Sequence, residues 1–314
     1  MKLIQQQYRI DDENAGNRLD QVLSHLLPEY SRSKIQEWIR EGFVCLNQKP
    51  CKPRQKVYAN DLIDLDVPVV ARLTDQPQPV EFEILHQDDE LFVINKPAGL
   101  VVHPAAGHHD GTLVNGLLNI DASLEQLPRA GIVHRLDKDT TGVMVVARNL
   151  TAHHWLVDQL QQRLVKREYI AITQGVVTAG RTIETGIDRH PVNRKKMAVS
   201  ERGKQAITHF QVVKKFQHHS LIDVQLETGR THQIRVHMAH IKYPLLGDPV
   251  YGGRERIPRG IDENLAQVIR AFNRQALHAR RLSFEHPASH QLCQFEADIP
   301  ADFQQMLDAL ESAE

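Results

Sequence analysis

Apolar positions in this chain fall into two regimes. Near the N-terminus, GNRLDQVLSHLL places Leu19, Val22, Leu23, Leu26 and Leu27 on one helical face, with Asn17 as a candidate cap and Pro28 as the stop. SRSKIQEWIREG follows, with Ile35, Trp38 and Ile39 as its apolar face, Ser31 or Ser33 near its cap and Gly42 at its end. FVCLNQKPC then reads as a strand and turn, and KVYANDLIDLDV as a further strand pair. Beyond residue 81 the pattern changes to short β-branched or alternating runs: FEILHQ, LFVINK, GVMVVAR, YIAITQG, ITHFQVVKKF and SLIDVQLE. Helical spacing returns in DGTLVNGLL, TAHHWLVDQLQQRL and around NLAQVIRAF. Many strands with few helices predict an α+β fold built on a large mixed sheet. PVVARLTDQPQPV, residues 68–80, carries three prolines and reads as a linker, which divides the 314 residues into 1–67 and 81–314.

Composition removes several classes of function. Lys+Arg 38 against Asp+Glu 39 excludes a uniformly basic nucleic-acid coat, but a neutral total can hide local basic faces. Two segments concentrate positive charge. Residues 31–56 hold Arg32, Lys34, Arg40, Lys49, Lys52, Arg54 and Lys56 against Glu37 and Glu41. Residues 189–204 hold Arg189, Arg194, Lys195, Lys196, Arg202 and Lys204 against Glu201. Each is a solvated face or a nucleic-acid contact. Cys45, Cys51 and Cys293 form neither a disulfide framework nor a C-x-x-C pair. The N-terminus has no apolar signal core, and no run reaches the roughly 18 apolar residues of a membrane span. A cytoplasmic protein with no membrane partner is expected. Of 18 histidines, only the triplet His232, His237 and His240 invites a metal. It lies in an Arg-rich run without metalloprotease or zinc-finger spacing, so no metal is expected.

Candidate chemistry gathers in three places. GIVHRLDKDTTGVMVVARN, residues 131–149, sets a polar turn between apolar walls, which puts its acids at the rim of a sheet. Asp137 and Asp139 stand two apart and share a face only in a regular strand, with Cβ atoms roughly 7 Å apart. A retaining glycosidase needs carboxyl groups about 5–5.5 Å apart, so one reactive and one turn-capping aspartate fits better. A purely structural turn closed by Thr140, Thr141 and Gly142 stays open. ETGRTHQIRVHMAH, residues 227–240, carries Arg230 and Arg235; if buried, these need an acid or phosphate, and Asp137 is a candidate. REYIAITQG places Tyr169 at a strand start, as a core residue or a site residue.

These motifs support two resemblances. Residues 16–66, through RLDQVL and SRSKIQEWI, resemble the S4 RNA-binding domain. GIVHRLDKDTTG and ETGRTHQIRVHMAH resemble the RluA-type family of pseudouridine synthases; INKPAGLVVHP, REYIAITQG, PLLGDPVYGG and RQALHA match in family order. The resemblance implies a catalytic domain on a mainly antiparallel sheet. It implies Asp137 as catalytic aspartate, Tyr169 as active-site tyrosine and Arg235 as the arginine paired with the aspartate. It implies isomerisation of uridine without a cofactor. The implied partner is 23S large-subunit ribosomal RNA at the helix 69 stem-loop, within an assembling subunit, with the enzyme a monomer supporting subunit maturation. Expected RNA contacts are His134, Arg135, Arg230, His232 and Gln233, Arg32, Lys34 and Arg40 in the first domain, and Arg194, Lys195 and Lys196. The rival readings are the same chemistry at other large-subunit rRNA sites, a non-catalytic S4-type RNA-binding assembly factor, and a glycosidase or nucleosidase using Asp137 with Asp139.

Overall fold

A computed structural model describes residues 3–12, 14–27, 32–68, 76–104, 110–193, 196–253, 257–258 and 260–313. Arg194 and Lys195 lie outside the described residues, as does the side chain of Lys34. The chain divides into two units, residues 1–73 and 74–314. Among the described residues, no helix is long and apolar enough to cross a membrane.

In the first unit, β1 (Leu3–Arg9), α1 (Leu19–Leu26), α2 (Arg32–Glu41), β2 (Val44–Leu46), β3 (Lys49–Pro50) and β4 (Leu62–Pro68) follow in order. The strands form an antiparallel sheet in the order β1-β4-β2-β3. Leu19, Val22, Leu23 and Leu27 of the first helical pattern and Ile35, Trp38 and Ile39 of the second are buried against Val44, Ile63 and Leu65. Leu26 is the exception and faces solvent. Asn17 does not cap α1. Arg18 holds that position without a side-chain bond, and the carbonyl of Asn17 accepts from Val57 N–H. The polar alternation of β1 gave no strand signal, and residues 56–67 hold a single strand, which begins at Leu62, rather than two.

Asp20 organises the cationic side of this unit. Its buried carboxylate accepts from Arg18 (2.9 and 3.0 Å), Arg32 (3.0 and 3.1 Å) and Gln36 (2.5 Å). Burial alone would raise its pKa; these donors outweigh burial and lower it. Arg32 is thereby committed within the unit, whereas Arg40 is exposed and donates to Gln36 Oε1 at 3.3 Å. Asp20→Ala is expected to cost about 2–3 kcal/mol at neutral pH, the scale of hydrogen bonds to a charged group. Because the folded pKa is depressed, the loss is full above the ordinary value of 3.8 and shrinks as pH falls through the folded value. Denaturant unfolding of both chains at pH 7 and pH 3 checks this; equal midpoints at pH 7 would refute it.

The second unit holds β5 (Glu83–Gln87), β6 (Leu91–Lys96), α3 (Leu113–Ile120), β7 (Thr141–Ala147), α4 (Leu150–Gln161), β8 (Lys166–Gln174), β9 (Arg181–Arg189), β10 (Met197–Val199), β11 (Lys204–Lys215), β12 (His219–Leu226), α5 (Gln233–His240), α6 (Glu263–Ala271), β13 (Leu277–Glu285), β14 (Leu292–Glu296) and α7 (Ala301–Ser312). Ten strands form one mixed sheet in the order β10-β9-β11-β12-β8-β13-β7-β6-β5, with β14 beside β13. Every pairing is antiparallel except β13 with β7. Residues 76–80, read as linker, are tied to this unit: Asn115 donates to Gln76 O, and Gln78 N–H donates to Asn115 O.

Strand alternation sorts the two faces. Tyr169 and Ala171 of β8 enter the core beneath α3 and α4, while Ile170 and Ile172 enter a second core with α6 and α7. β7 is buried at every position, as a central strand covered on both sides must be. Its entry needs a glycine. Gly142 has φ +116°, and a Cβ there would stand 2.1 Å from the carbonyl oxygen of Ala279 on β13.

Candidate active site

The polar turn 133–140 enters the sheet directly before β7, and three side chains from elsewhere hold it, two through its backbone carbonyls and one through a threonine hydroxyl. Lys96, fully buried at the end of β6, donates from Nζ to the carbonyls of Pro97 (2.9 Å), Leu100 (2.8 Å) and Lys138 (2.8 Å). Burial pushes its ammonium down to about 7 against the fields of Asp139 and Asp137. Arg274 reaches the carbonyl of Asp139 (3.3 Å), and Gln275 donates to Thr140 Oγ1 (2.9 Å). The next residue, Thr141, is bonded to His278 Nδ1 (2.9 Å), whose Nε2 lies 3.0 Å from Ala297 O. A carbonyl only accepts, so Nε2 carries the proton and Nδ1 accepts from the threonine hydroxyl.

Asp137 is thereby presented to α5. Arg235 Nη1 donates to Asp137 Oδ2 at 2.9 Å, joining groups 98 residues apart in sequence. Its other edge makes a two-pronged pair with Asp248: Nε to Oδ2 at 2.7 Å and Nη2 to Oδ1 at 2.9 Å. Asp248, also buried, accepts from the backbone N–H groups of Val250 and Tyr251 as well. Burial works against both charges. The hydrogen bonds of the pair outweigh it, raising the arginine's pKa and lowering that of Asp248. The arginine is therefore a fixed cation oriented from behind, with one N–H pair free for Asp137.

His232 stands beside this pair in a left-handed conformation (φ 57°), with Nε2 3.8 Å from Asp137 Oδ1. Its Nδ1 lies 2.8 Å from the Tyr251 hydroxyl, which accepts from Met197 N–H at 2.8 Å. In the tautomer where Tyr251 donates to Nδ1, the Nε2–H is turned toward Asp137. Burial lowers the pKa of this imidazole despite the field of Asp137, which keeps the ring neutral at pH 7. Tyr169 is buried on the same face of the sheet. Burial raises its phenol pKa; Arg167 opposes this and Asp137 adds to it.

The expected site residues separate into groups. Asp137, Arg235, His232 and Tyr169 converge. Arg135 is exposed on the same turn, Arg230 is exposed on the turn before α5, and Lys196 lies 5.9 Å from the Tyr251 ring centre. His134 is half-buried, accepts the Val145 N–H of β7 at Nε2 (3.1 Å), and is held down to about 3 by burial and Arg167. Gln233 corrects the expectation. It is buried, its Oε1 accepts from Thr228 and Arg230 N–H, and its Nε2 donates to Ile207 O and Thr208, so it locks the turn and has nothing left for RNA. Asp139 does not partner Asp137; the acid that shares Arg235 is Asp248, which sequence reasoning missed. The signal was present, because a buried arginine in QIRVH required more countercharge than one half-exposed aspartate, and GDPVYGG held it. The histidine triplet disperses: His237 is buried between Thr208 and Thr185, and His240 is exposed. Among the described residues, no group of three or more His, Cys, Asp or Glu is placed to hold a metal.

Comparison with known proteins gives this geometry a context. The family profile described as RNA pseudouridylate synthase matches residues 90–240, and the S4 domain profile matches residues 17–63. Ribosomal large subunit pseudouridine synthase D of Pseudomonas aeruginosa is 50% identical over 308 residues, covering 98% of this chain and 96% of that protein. The protein so named in Escherichia coli (strain K12) is 46% identical over 302 residues, covering 96% and 93%. Among solved structures, human RNA pseudouridylate synthase domain containing 4 superposes with a TM-score of 0.57 at 28% identity, covering 73% of this chain and 93% of that one. The apposed Asp137 and Arg235 sit inside the region matched by the family profile, and the chain belongs to the RNA pseudouridine synthase family, carrying an S4 domain ahead of its catalytic region.

Proposed function

We propose that this enzyme isomerises uridines of 23S large-subunit ribosomal RNA, in the helix 69 stem-loop, with Asp137 as the reactive group and no cofactor. The observation that carries the chemistry is the Asp137 carboxylate held by an arginine that is itself fixed by Asp248. The relatives named ribosomal large subunit pseudouridine synthase D support the choice of RNA.

The reaction breaks the N1–C1′ bond of uridine, turns the uracil and joins C5 to C1′. The proton lost from C5 is balanced by the one gained at N1, so there is no net redox change. The target base is inaccessible while stacked, so it is flipped into the site. The Asp137 carboxylate then attacks C1′ or removes the C2′ proton; both routes need the anion, and Arg235 supports it from one side. Tyr169 offers a stacking face beside the base, and its phenol, kept protonated by burial, assists the proton transfer. The exposed cations of the N-terminal unit and of residues 189–204 hold the RNA backbone, contributing affinity rather than sequence readout.

Incubating unmodified 23S rRNA and assembling subunits with the wild-type chain, then mapping pseudouridine, tests the reading. Pseudouridine in helix 69 is expected. None on either substrate refutes the proposed substrate, and pseudouridine elsewhere in 23S rRNA refutes the helix 69 assignment alone. Asp139→Asn is expected to keep most activity, within about tenfold, because Asp139 contributes its backbone carbonyl to the turn. A loss as deep as that of Asp137→Asn would restore the two-carboxylate reading.

A further inference from the structure

Arg167 stands in β8 two residues before Tyr169, so both side chains leave the same face of the sheet, about 7 Å apart along the strand. It is buried to 7% exposure. Among the described residues no carboxylate pairs with it; its electrostatic neighbours include the Tyr169 phenol, Arg230 and His134. Nη2 donates to the Glu227 carbonyl at 3.0 Å, and Nε is buried with no partner. The acid of that turn is engaged elsewhere, with Glu227 bonded to Arg163 at 3.0 Å and His209 at 2.7 Å. Gly229 lies directly against the guanidinium: a Cβ there would stand 2.6 Å from Nη1. Arg230, exposed at the rim, bonds through Nε to Gln205 O and presents the rest of its fork outward.

A buried lysine in this position would lose its proton. An arginine does not, and a buried charge without countercharge is costly. No described residue supplies the anion, so a ligand is the natural source of it. The ligand that approaches Tyr169 and Asp137 is RNA, whose backbone carries one phosphodiester per nucleotide. Building on the function proposed above, we infer that Arg167, with Arg230 at its rim, seats a backbone phosphate of the RNA next to the uridine delivered to Asp137. The missing side chain at Gly229 leaves the Nη1 edge unobstructed for that phosphate, and the orphaned Nε supplies a second donor once the guanidinium shifts to meet it.

The test uses full-length chains carrying Asp137→Asn, so that bound RNA is not consumed, and synthetic stem-loops spanning the uridine that the wild type converts. Each stem-loop has one phosphate near the uridine replaced by an uncharged methylphosphonate. At one linkage, the replacement is expected to weaken binding about tenfold when Arg167 is present and not at all with Arg167→Met. Arg167→Lys should keep part of the sensitivity, because it retains charge without the fork. Equal sensitivity at every linkage in both chains overturns the inference and leaves Arg167 a structural residue, with a lower melting temperature and unchanged affinity for RNA. Salt dependence gives an independent reading on whole 23S rRNA. The slope of log affinity against log salt should fall by about 0.7–0.9 in Arg167→Met, and an unchanged slope overturns the inference. Should Arg167→Met not fold, Gly229→Ala, which crowds the guanidinium while keeping its charge, takes its place in the methylphosphonate comparison. Failure of the substrate reading appears separately, as absence of mapped pseudouridine in the wild type, and the salt slope reports on Arg167 in either case.

Discussion

Asp137→Asn is expected to reduce pseudouridine formation on the order of 10⁴-fold or more, the scale seen when an enzyme loses its reacting group. Asparagine is nearly isosteric, so the turn held by Lys96, Arg274 and Gln275 should keep its path. An amide neither attacks C1′ effectively nor takes the C2′ proton, so both chemical routes fail together. Stability should change little, because Arg235 keeps its two-pronged pair with Asp248. RNA affinity should stay within a few-fold, since the backbone contacts lie elsewhere. Single-turnover mapping of pseudouridine, with binding measured on the same preparation, decides the matter. Activity within tenfold of wild type would remove Asp137 from the mechanism and assign the reacting group to another residue.

The second large effect belongs to Asp248, which touches no reacting atom in the proposed mechanism and acts by positioning Arg235. Asp248→Asn leaves a buried guanidinium with only the partly exposed Asp137 as countercharge. Breaking a buried pair from one side costs about 3–5 kcal/mol, so a clear drop in the unfolding midpoint is expected. Asp248 has a depressed folded pKa, so its contribution is present above the ordinary value of 3.8 and fades as pH falls through the folded value. The difference between wild type and variant should therefore narrow in acid. An arginine displaced by even an ångström no longer meets Asp137, and such misplacement costs about 10²-fold in kcat. The binding constant for RNA should move less than kcat, which separates loss of positioning from loss of binding surface. Unchanged kcat and midpoint would show that Arg235 is held by other contacts.

Much of this molecule was legible before any coordinates, where burial is one-sided. α1, α2, α3, α4 and α6 show apolar stripes or runs bounded by turns, and β5 to β8, β11 and β12 show β-branched runs. α5 did not read as a helix because six of its eight residues are buried, Gln233 to Met238, which leaves no polar face to mark the period. β1 and β9 lie at or near sheet edges with exposed, polar positions that resemble loops, and β10 is an edge strand of only three residues, Met197–Val199. β13 escaped because LHARRLSFE mixes two arginines and a histidine into a strand that is mostly buried.

The site divides in the same way. Sequence alone determined which residues are chemically exceptional: an aspartate in a polar turn between apolar walls, two arginines that need acids, a tyrosine at a strand start, and a neutral chain with two basic segments. Each of these is a local composition, and local composition survives without coordinates. Only the tertiary structure decided the partners. It gave Arg235 to Asp248 as well as Asp137, committed Arg32 to Asp20, spent Gln233 on its own turn, and left Arg167 without an acid among the described residues. The reason is physical. A charge pair forms wherever the chain brings opposite groups within about 3 Å, and crossings between elements as far apart as residues 137 and 235 are set by the packing of the whole sheet, which no window of sequence contains.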